Sequence, residues 1–169
     1  MDALTILFIV SMVVFIIGSF YVLSGRSKKT DKKEPSENAT SVSRQMQLQA
    51  YERLTLLVDR IALPNLISRL NQSDLSAKEM QLLLVQTIKQ EFDYNITQQI
   101  YVSAAAWNAA KNLKEQTMLV INQFASTLPQ EATSADLNKL LLEYLMNDKK
   151  ANLHELVSEA ISYEARKLL

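Results

Sequence analysis

The chain has 169 residues, with 18 basic side chains, 18 acidic side chains and no cysteine. This length accommodates one domain, or one domain with an appendage, and the lack of cysteine excludes disulfides, thiolate catalysis and cysteine-ligated metals. The balanced charge provides no basic face of the kind that nucleic-acid binding needs, so we do not expect nucleic acid among the partners.

The beginning of the chain has the composition of a transmembrane helix. Residues 4–23 carry no charge and are mostly Leu, Ile, Val, Phe and Met, and as a helix they span about 30 Å, the thickness of a bilayer's hydrocarbon core. The basic residues near this run all follow it, and they are Arg26, Lys28, Lys29, Lys32 and Lys33. Because positive charge is retained on the cytoplasmic side, this order predicts an uncleaved anchor over residues 1–24, with the N-terminus outside and the rest of the chain in the cytoplasm.

Residues 25–43 are polar, charged and poor in apolar groups. Such a segment buries too little apolar surface to order itself, so the sequence predicts a flexible, disordered tether. The five basic residues named above fall in this tether, beside the predicted membrane surface. There they can contact anionic lipid headgroups, but flanking lysines are also what any cytoplasmic anchor carries, and the sequence favours this second interpretation. The lipid bilayer is therefore the first predicted partner.

Helical periodicity begins at Arg44. The apolar residues of the first predicted helix recur at steps of four, three and four, and they are Ala50, Leu54, Leu57 and Ile61. Pro64 interrupts this helix near residue 63, and because proline suits the first turn of a helix, the sequence predicts a kink and then a short helical turn. That turn carries Leu66, Ile67 and Leu70 towards the core.

The remaining helices are predicted from their caps and apolar stripes. Ser76 and Glu79 match a capping box, and the helix that they open has the stripe Met80, Leu84, Ile88 and Phe92. Ser103 is expected to cap the next helix, whose stripe is Trp107, Ala110, Lys114, Thr117, Ile121 and Phe124.

Two further helices complete the domain. Thr133 or Ser134 opens a helix with Leu137, Leu140, Leu141, Tyr144 and Leu145, and Asn152 with Glu155 repeats the capping-box pattern. The inner face predicted for the last helix is Leu153, Leu156, Val157, Ala160 and Ile161. Residues 44–169 are therefore predicted to form a compact all-α cytoplasmic bundle of about five helices.

The distribution of glycine restricts the chemistry of this domain. The two glycines of the chain are Gly18 and Gly25, so residues 44–169 have none. Phosphate-binding loops, dinucleotide fingerprints and nucleophile elbows need glycine where the backbone approaches a ligand or takes a positive φ. We therefore expect no nucleotide-dependent enzyme, no α/β-hydrolase and no cofactor.

The titratable residues also form no recognisable reactive set. His154, the single histidine, is expected to face solvent in the first turn of the last helix, and no Glu-x-x-His pair occurs. Carboxylate pairs such as Glu91 with Asp93 stand at spacings typical of a solvated helix face. The sequence predicts no catalytic residue and no metal site.

Residues 94–103 are unusual because β-branched and aromatic residues replace the helix formers of the flanking segments. A continued helix would extend the ladder from Phe92 through Ile96 and Ile100, whereas the poor helix formers between them favour an extended connector. We predict the connector, with Ile100 and Val102 packed on the core. Gln98, Gln99 and Tyr101 are polar groups with no predicted structural role, and together with the neighbouring Trp107 they make up the candidate partner or ligand surface.

Two segments carry a resemblance to a known family. They are "LQAYERLTLLVDRI", residues 48–61, and the run from Gln98 to Ser103 followed by Trp107. In these segments the chain resembles an uncharacterised family of small bacterial single-pass membrane-anchored helical proteins. The resemblance implies a location in the bacterial inner membrane, and it implies no activity and no functional residue.

These observations lead to two functional hypotheses. The first is a membrane-anchored, non-enzymatic protein-interaction, scaffold or accessory subunit that binds another membrane or cytoplasmic protein, or itself. The alternative is a membrane-tethered enzyme or small-ligand sensor, with a pocket between helices near Gln98, Gln99 and Tyr101.

Overall fold

The computed structural model describes residues 37–147 and 153–169, and within these residues the chain is helical. The helices are α1 (Glu37–Ile61), α2 (Leu63–Leu70), α3 (Ala77–Tyr94), α4 (Ala104–Thr127), α5 (Ser134–Asn147) and α6 (Leu153–Arg166), with a 3-10 helix over Ile96–Ile100. The predicted all-α class and the helical bundle are confirmed. Asn38–Leu169 forms one compact unit.

The predicted anchor over residues 1–24 lies outside the described residues. So does the tether up to residue 36, which includes its basic cluster. Among the residues that the structure describes, no helix combines the length and apolar character that crossing a bilayer requires.

The core consists of side chains that recur once per turn on the helices, as the stripes predict. Its fully buried members include Leu54, Leu57, Ile61, Leu66, Met80, Leu84, Ile88, Ile121, Leu137, Leu141 and Ile161. Burying a side chain of this size stabilises the fold by roughly 1.5–3 kcal/mol. The predicted core residues of α1 and α3 are therefore confirmed.

The boundary between α1 and α2 follows from Pro64. The N-cap residue of α2, Ala62, has an extended backbone (φ −60°, ψ 130°), and Pro64 occupies the first turn of the new helix. At its other end, α1 begins at Glu37, so residues 37–43 are helical although the sequence predicts them as tether. A helix fixed to the core by its C-terminal half adds one hydrogen bond for each further residue at its N-terminus, which offsets the weak local preference of a polar segment.

The N-termini of α3 and α5 lie side by side. The predicted capping box of α3 is present, because Ser76 Oγ accepts from the Glu79 backbone N–H while the Glu79 carboxylate accepts from the Ser76 N–H at 2.9 Å. Thr133 and Asp136 make the corresponding pair of bonds at α5. An isolated antiparallel bridge between Ser76 and Thr133 joins the two caps, so α3 and α5 start from the same end of the bundle.

The connector between α3 and α4 differs from the prediction. It is the 3-10 helix Ile96–Ile100 and not an extended segment, and Ile100 is 72% exposed and does not pack on the core. The buried Asn95 ends α3, and its side-chain amide donates to the Glu91 carbonyl at 2.8 Å. Local i to i+3 hydrogen bonds therefore satisfy the backbone that an unpaired strand would leave open. Val102 does pack against the core, and Ser103 caps α4 as predicted.

The inner face of α6 is narrower than predicted. Val157 and Ile161 are buried, but Leu156 is 64% exposed and Ala160 is also exposed. Only one stripe of α6 reaches the bundle, so the predictions for Leu156 and Ala160 are wrong.

Candidate functional site

A groove of about 820 Å³ separates α1 from α6. The buried side chains of Tyr51 and Val58 form its floor, and Leu48, Ala165 and Leu169 add apolar surface. Its two edges carry four exposed carboxylates, which are Glu52 and Asp59 on α1 and Glu155 and Glu159 on α6. An apolar floor between polar edges is the arrangement that receives an amphipathic helix or a folded protein surface.

These four carboxylates have no cationic partner in residues 41–147 and 153–169. The ion pairs of this part of the chain involve other acids, namely Glu91, Glu115, Glu143 and Glu164. Asp59 accepts one neutral hydrogen bond, from the Asn65 side chain at 2.8 Å. Among the described residues that line the groove, Arg166 is the one cationic side chain, so the charges that these residues contribute are negative in sum.

The floor of the groove is held in place by the N-terminus of α4. The Tyr51 hydroxyl accepts a hydrogen bond of 3.0 Å from the backbone N–H of Ser103, the residue that caps α4. The unusual segment at 94–103 therefore orients a groove residue that is 52 positions away in sequence. This role is structural, and the sequence pattern alone does not indicate it.

The opposite flank of α1 is basic. A cavity of about 480 Å³ lies between α1 and α3, and Arg53, Arg60 and Glu91 line it, together with Leu56 and the exposed Tyr94. Glu91 bonds Arg60 at 2.5 Å and Arg69 at 3.3 Å, and its side chain is 14% exposed. The bond from Arg60 lowers the pKa of Glu91, an effect that burial partly offsets and that the charge of Arg69 reinforces. Glu91 is therefore half of a structural ion-pair network and not, as the spacing suggests, a residue of a solvated face.

A third cavity, of about 350 Å³, lies between α4, α5 and α6. Its lining is mostly apolar and includes Leu113, Val120, Leu145 and Leu153. His154 lines both this cavity and the α1–α6 groove and is half-buried, so it is less exposed than the sequence predicts. Among the described residues, no group of three or more His, Asp and Glu side chains is arranged to hold a metal.

The predicted surface at 98–107 lies outside these three cavities. Gln99 and Tyr101 are exposed, and the half-buried Gln98 donates to the Thr97 hydroxyl at 3.3 Å. Trp107 is half-buried and packs against the Phe92 ring, with the two ring centroids 4.9 Å apart. None of the three cavities is lined by these residues, and their role in binding stays a prediction.

The residues that line the groove were missed by sequence reasoning, although a signal for some of them exists. "ER" at 52–53 and "DR" at 59–60 place an acid and an arginine side by side twice, seven residues apart. Seven residues are about two helical turns, so this repeat gives α1 one acidic edge and one basic edge. Which helix stands beside each edge depends on tertiary packing, which the repeat does not encode.

The fold and the groove define an all-α protein with a solvent-accessible cleft between helices. The chain belongs to a family of unknown function, DUF7935, whose model matches residues 2–168. No curated protein and no solved structure matches the chain.

Proposed function

We propose that this protein is a membrane-anchored, non-enzymatic interaction module that holds a partner protein in the α1–α6 groove. The observation that carries the proposal is the combination of an apolar floor with four carboxylates that form no ion pair within the described residues. Like charges gathered on one surface repel each other, and a partner that supplies cations and an apolar surface removes that cost.

The proposed anchor rests on the sequence. Residues 4–23 are long enough and apolar enough to span a bilayer, and the basic residues after them favour a cytoplasmic domain under the positive-inside rule. A single span of this kind fits the bacterial inner membrane, with residues 26–33 beside the lipid headgroups. The anchor keeps the groove within reach of partners at the membrane surface.

Affinity purification of the full chain from gently solubilised membranes tests this function. We expect a protein to copurify with the wild type and to be lost with Ser158→Trp, because Ser158 is half-buried and lines the groove. The control is Ala160→Trp, an exposed position on the same helix that does not line the groove. Capture that both variants retain would contradict a role of the groove.

A second candidate function is binding of a small apolar ligand in the cavity between α4, α5 and α6. Its volume of about 350 Å³ and its apolar lining, with Gln116 and His154 as polar groups, favour this candidate. A thermal-shift screen of small apolar compounds on the full chain tests it. Stabilisation by a compound that Val120→Trp abolishes would support ligand binding, and a screen without any stabilising compound would remove this candidate.

A further inference from the structure

The exposed ridge of α1 carries charges of opposite sign on its two sides. With about 100° of rotation per residue, Leu56 points about 40° from Glu52 and about 60° from Arg53, so it lies between the two edges. Leu56 is 60% exposed, and Glu52, Arg53, Asp59 and Arg60 are exposed as well. The α6 groove adjoins the acidic edge and the α3 cavity adjoins the basic edge.

We infer that a second copy of this chain binds along the exposed ridge of α1, beside the acidic edge of the groove, in a parallel two-fold dimer. The inference rests on the proposed interaction function and adds a partner for the ridge that borders the groove. Its basis is that the acidic and basic edges of α1 are complementary to each other in one relative orientation of two copies and repel each other in the opposite one.

A two-fold axis parallel to α1 places the two helices side by side in the same direction. Rotation by 180° about this axis puts the acidic edge of the second copy on the side opposite to that of the first. On each side of the seam, which is the line of contact between the two α1 helices, the acidic edge of one copy therefore faces the basic edge of the other. The rotation does not shift either copy along the helix axis. Glu52 therefore lies about 1.5 Å, measured along the axis, from Arg53 of the second copy, and Asp59 lies at the same axial distance from Arg60 of the second copy. Both charge pairs therefore match in the same register.

The antiparallel alternative fails on electrostatic grounds. A two-fold axis perpendicular to α1 keeps each edge on its own side, so carboxylates face carboxylates and arginines face arginines. Like charges placed opposite each other disfavour this pairing. The parallel dimer alone puts unlike charges together.

The surfaces beside α1 extend the same complementarity. Glu155 and Glu159 lie across the groove on the acidic side, and they face the side of the second copy that carries Arg53 and the 76% exposed Tyr94. Arg53 has no ion pair among the described residues, and Arg60 retains donors beyond the one that bonds Glu91. The second copy thus brings cations to the carboxylates of the first.

Single-cysteine crosslinking of the full chain in mild detergent tests this dimer, because the natural chain has no cysteine. Gln49 and Leu56 share the seam and stand about 10.5 Å apart along α1. In the parallel dimer, Gln49→Cys and Leu56→Cys each meet their own counterpart, and we expect both variants to form disulfide-linked dimers. In an antiparallel pair centred on Leu56, the Gln49 positions are about 21 Å apart and only Leu56→Cys crosslinks.

The controls separate this dimer from other associations. Lys111→Cys, at an exposed position on α4 outside the α1–α6 groove and the α1–α3 cavity, should stay monomeric. Adding E52R and D59R to Gln49→Cys should reduce its crosslinking at least tenfold. If the copies paired through the N-terminal segment alone, these two changes would leave the crosslinking unchanged. Crosslinking of Leu56→Cys without Gln49→Cys, or of neither, overturns the inference. If Ser158→Trp still abolishes capture of a different protein in that case, the proposed function stands with another partner.

Discussion

The two flanks of α1 differ in whether their charged side chains form ion pairs within the chain. On the α3 flank, Glu91 binds Arg60 and Arg69, and the network is satisfied within the chain. On the α6 flank, Glu52, Asp59, Glu155 and Glu159 form no ion pair within the described residues. Paired, partly buried charges contribute to the stability of the fold, whereas unpaired charges at a surface are available to a partner, so we assign a structural role to the Glu91 network and propose a binding role for the two exposed edges of α1.

The largest expected effect comes from a substitution in the core on which α1 packs. Leu54 of α1 is fully buried in the core, and Leu54→Ala should lower the free energy of unfolding by about 3 kcal/mol, because burial is lost and a cavity remains. Thermal unfolding of the full chain, followed by circular dichroism, should show a midpoint lower by about 10 °C. Leu119→Ala, at a 56% exposed position on α4 away from the exposed ridge of α1, is the matched control, and its midpoint should move by no more than about 2 °C.

Reversal of charge on the acidic flank should act on association and not on stability. E52R with D59R should weaken self-association at least tenfold, about 1.4 kcal/mol, because it places arginines opposite Arg53 and Arg60 of the second copy. Sedimentation velocity in mild detergent measures the dissociation constant. E131R with E143R changes the net charge equally at exposed positions outside both grooves and should leave the constant unchanged. Equal losses in both variants would mean that net charge, and not the acidic edge, controls association.

Removal of the Glu91 charge should have a smaller effect than these changes, and the quantity affected should be the free energy of unfolding. Glu91→Gln removes the carboxylate that holds Arg60 and Arg69, and because Arg60 is half exposed we expect a loss of about 1 kcal/mol at neutral pH. Thermal unfolding at pH 7 measures it. An unchanged midpoint would show that the network contributes no net stability.

The same network predicts a dependence on pH. The pKa of Glu91 is lowered in the folded state from the ordinary value of 4.5, mainly by its bond to Arg60. A lowered pKa adds stability that is complete above the unfolded pKa and disappears as the pH falls through the folded pKa. The difference between wild type and Glu91→Gln should therefore be constant near neutral pH and shrink below about pH 4.5. A difference that grows with acidity would contradict this sign.

The smallest expected effect is on the stability of the acidic flank. Glu155→Gln with Glu159→Gln removes two exposed carboxylates that have no ion pair among the described residues, so the unfolding midpoint should stay within about 1 °C or rise slightly. Thermal unfolding at low salt checks this. A clear loss of stability would show that these carboxylates have a structural role.

Much of the fold follows from local patterns in the sequence. The stripe from Ala50 to Ile61, the capping box at Ser76 and the cap at Ser103 each depend on a few neighbouring residues, and the structure confirms all of them. The 3-10 helix at Ile96–Ile100 was not predicted, because the choice between it and an extended connector depends on how Asn95 closes α3.

The candidate site was harder to predict because its parts are distant in sequence. The groove exists because α6 lies beside the acidic edge of α1, and Glu91 joins arginines that precede it by 31 and 22 positions. The periodicity of each helix indicates which face is apolar, but it does not indicate which helix stands opposite. The exposed Leu156 shows the same limit on α6.

The most direct test of the difference between the two flanks is a mixing experiment with full-length variants. E52R with D59R makes both edges of α1 basic, and Arg53→Glu makes its basic edge acidic in part. Each variant alone should self-associate more weakly than the wild type, the double variant because all four of its charge contacts become repulsive and Arg53→Glu because its two contacts with Glu52 do. Because the acidic edge of one copy meets the basic edge of the other, an equimolar mixture should form a heterodimer that crosslinks through cysteines at position 49 in both chains. A mixture that stays monomeric, or variants that dimerise alone as well as the wild type does, would contradict the account.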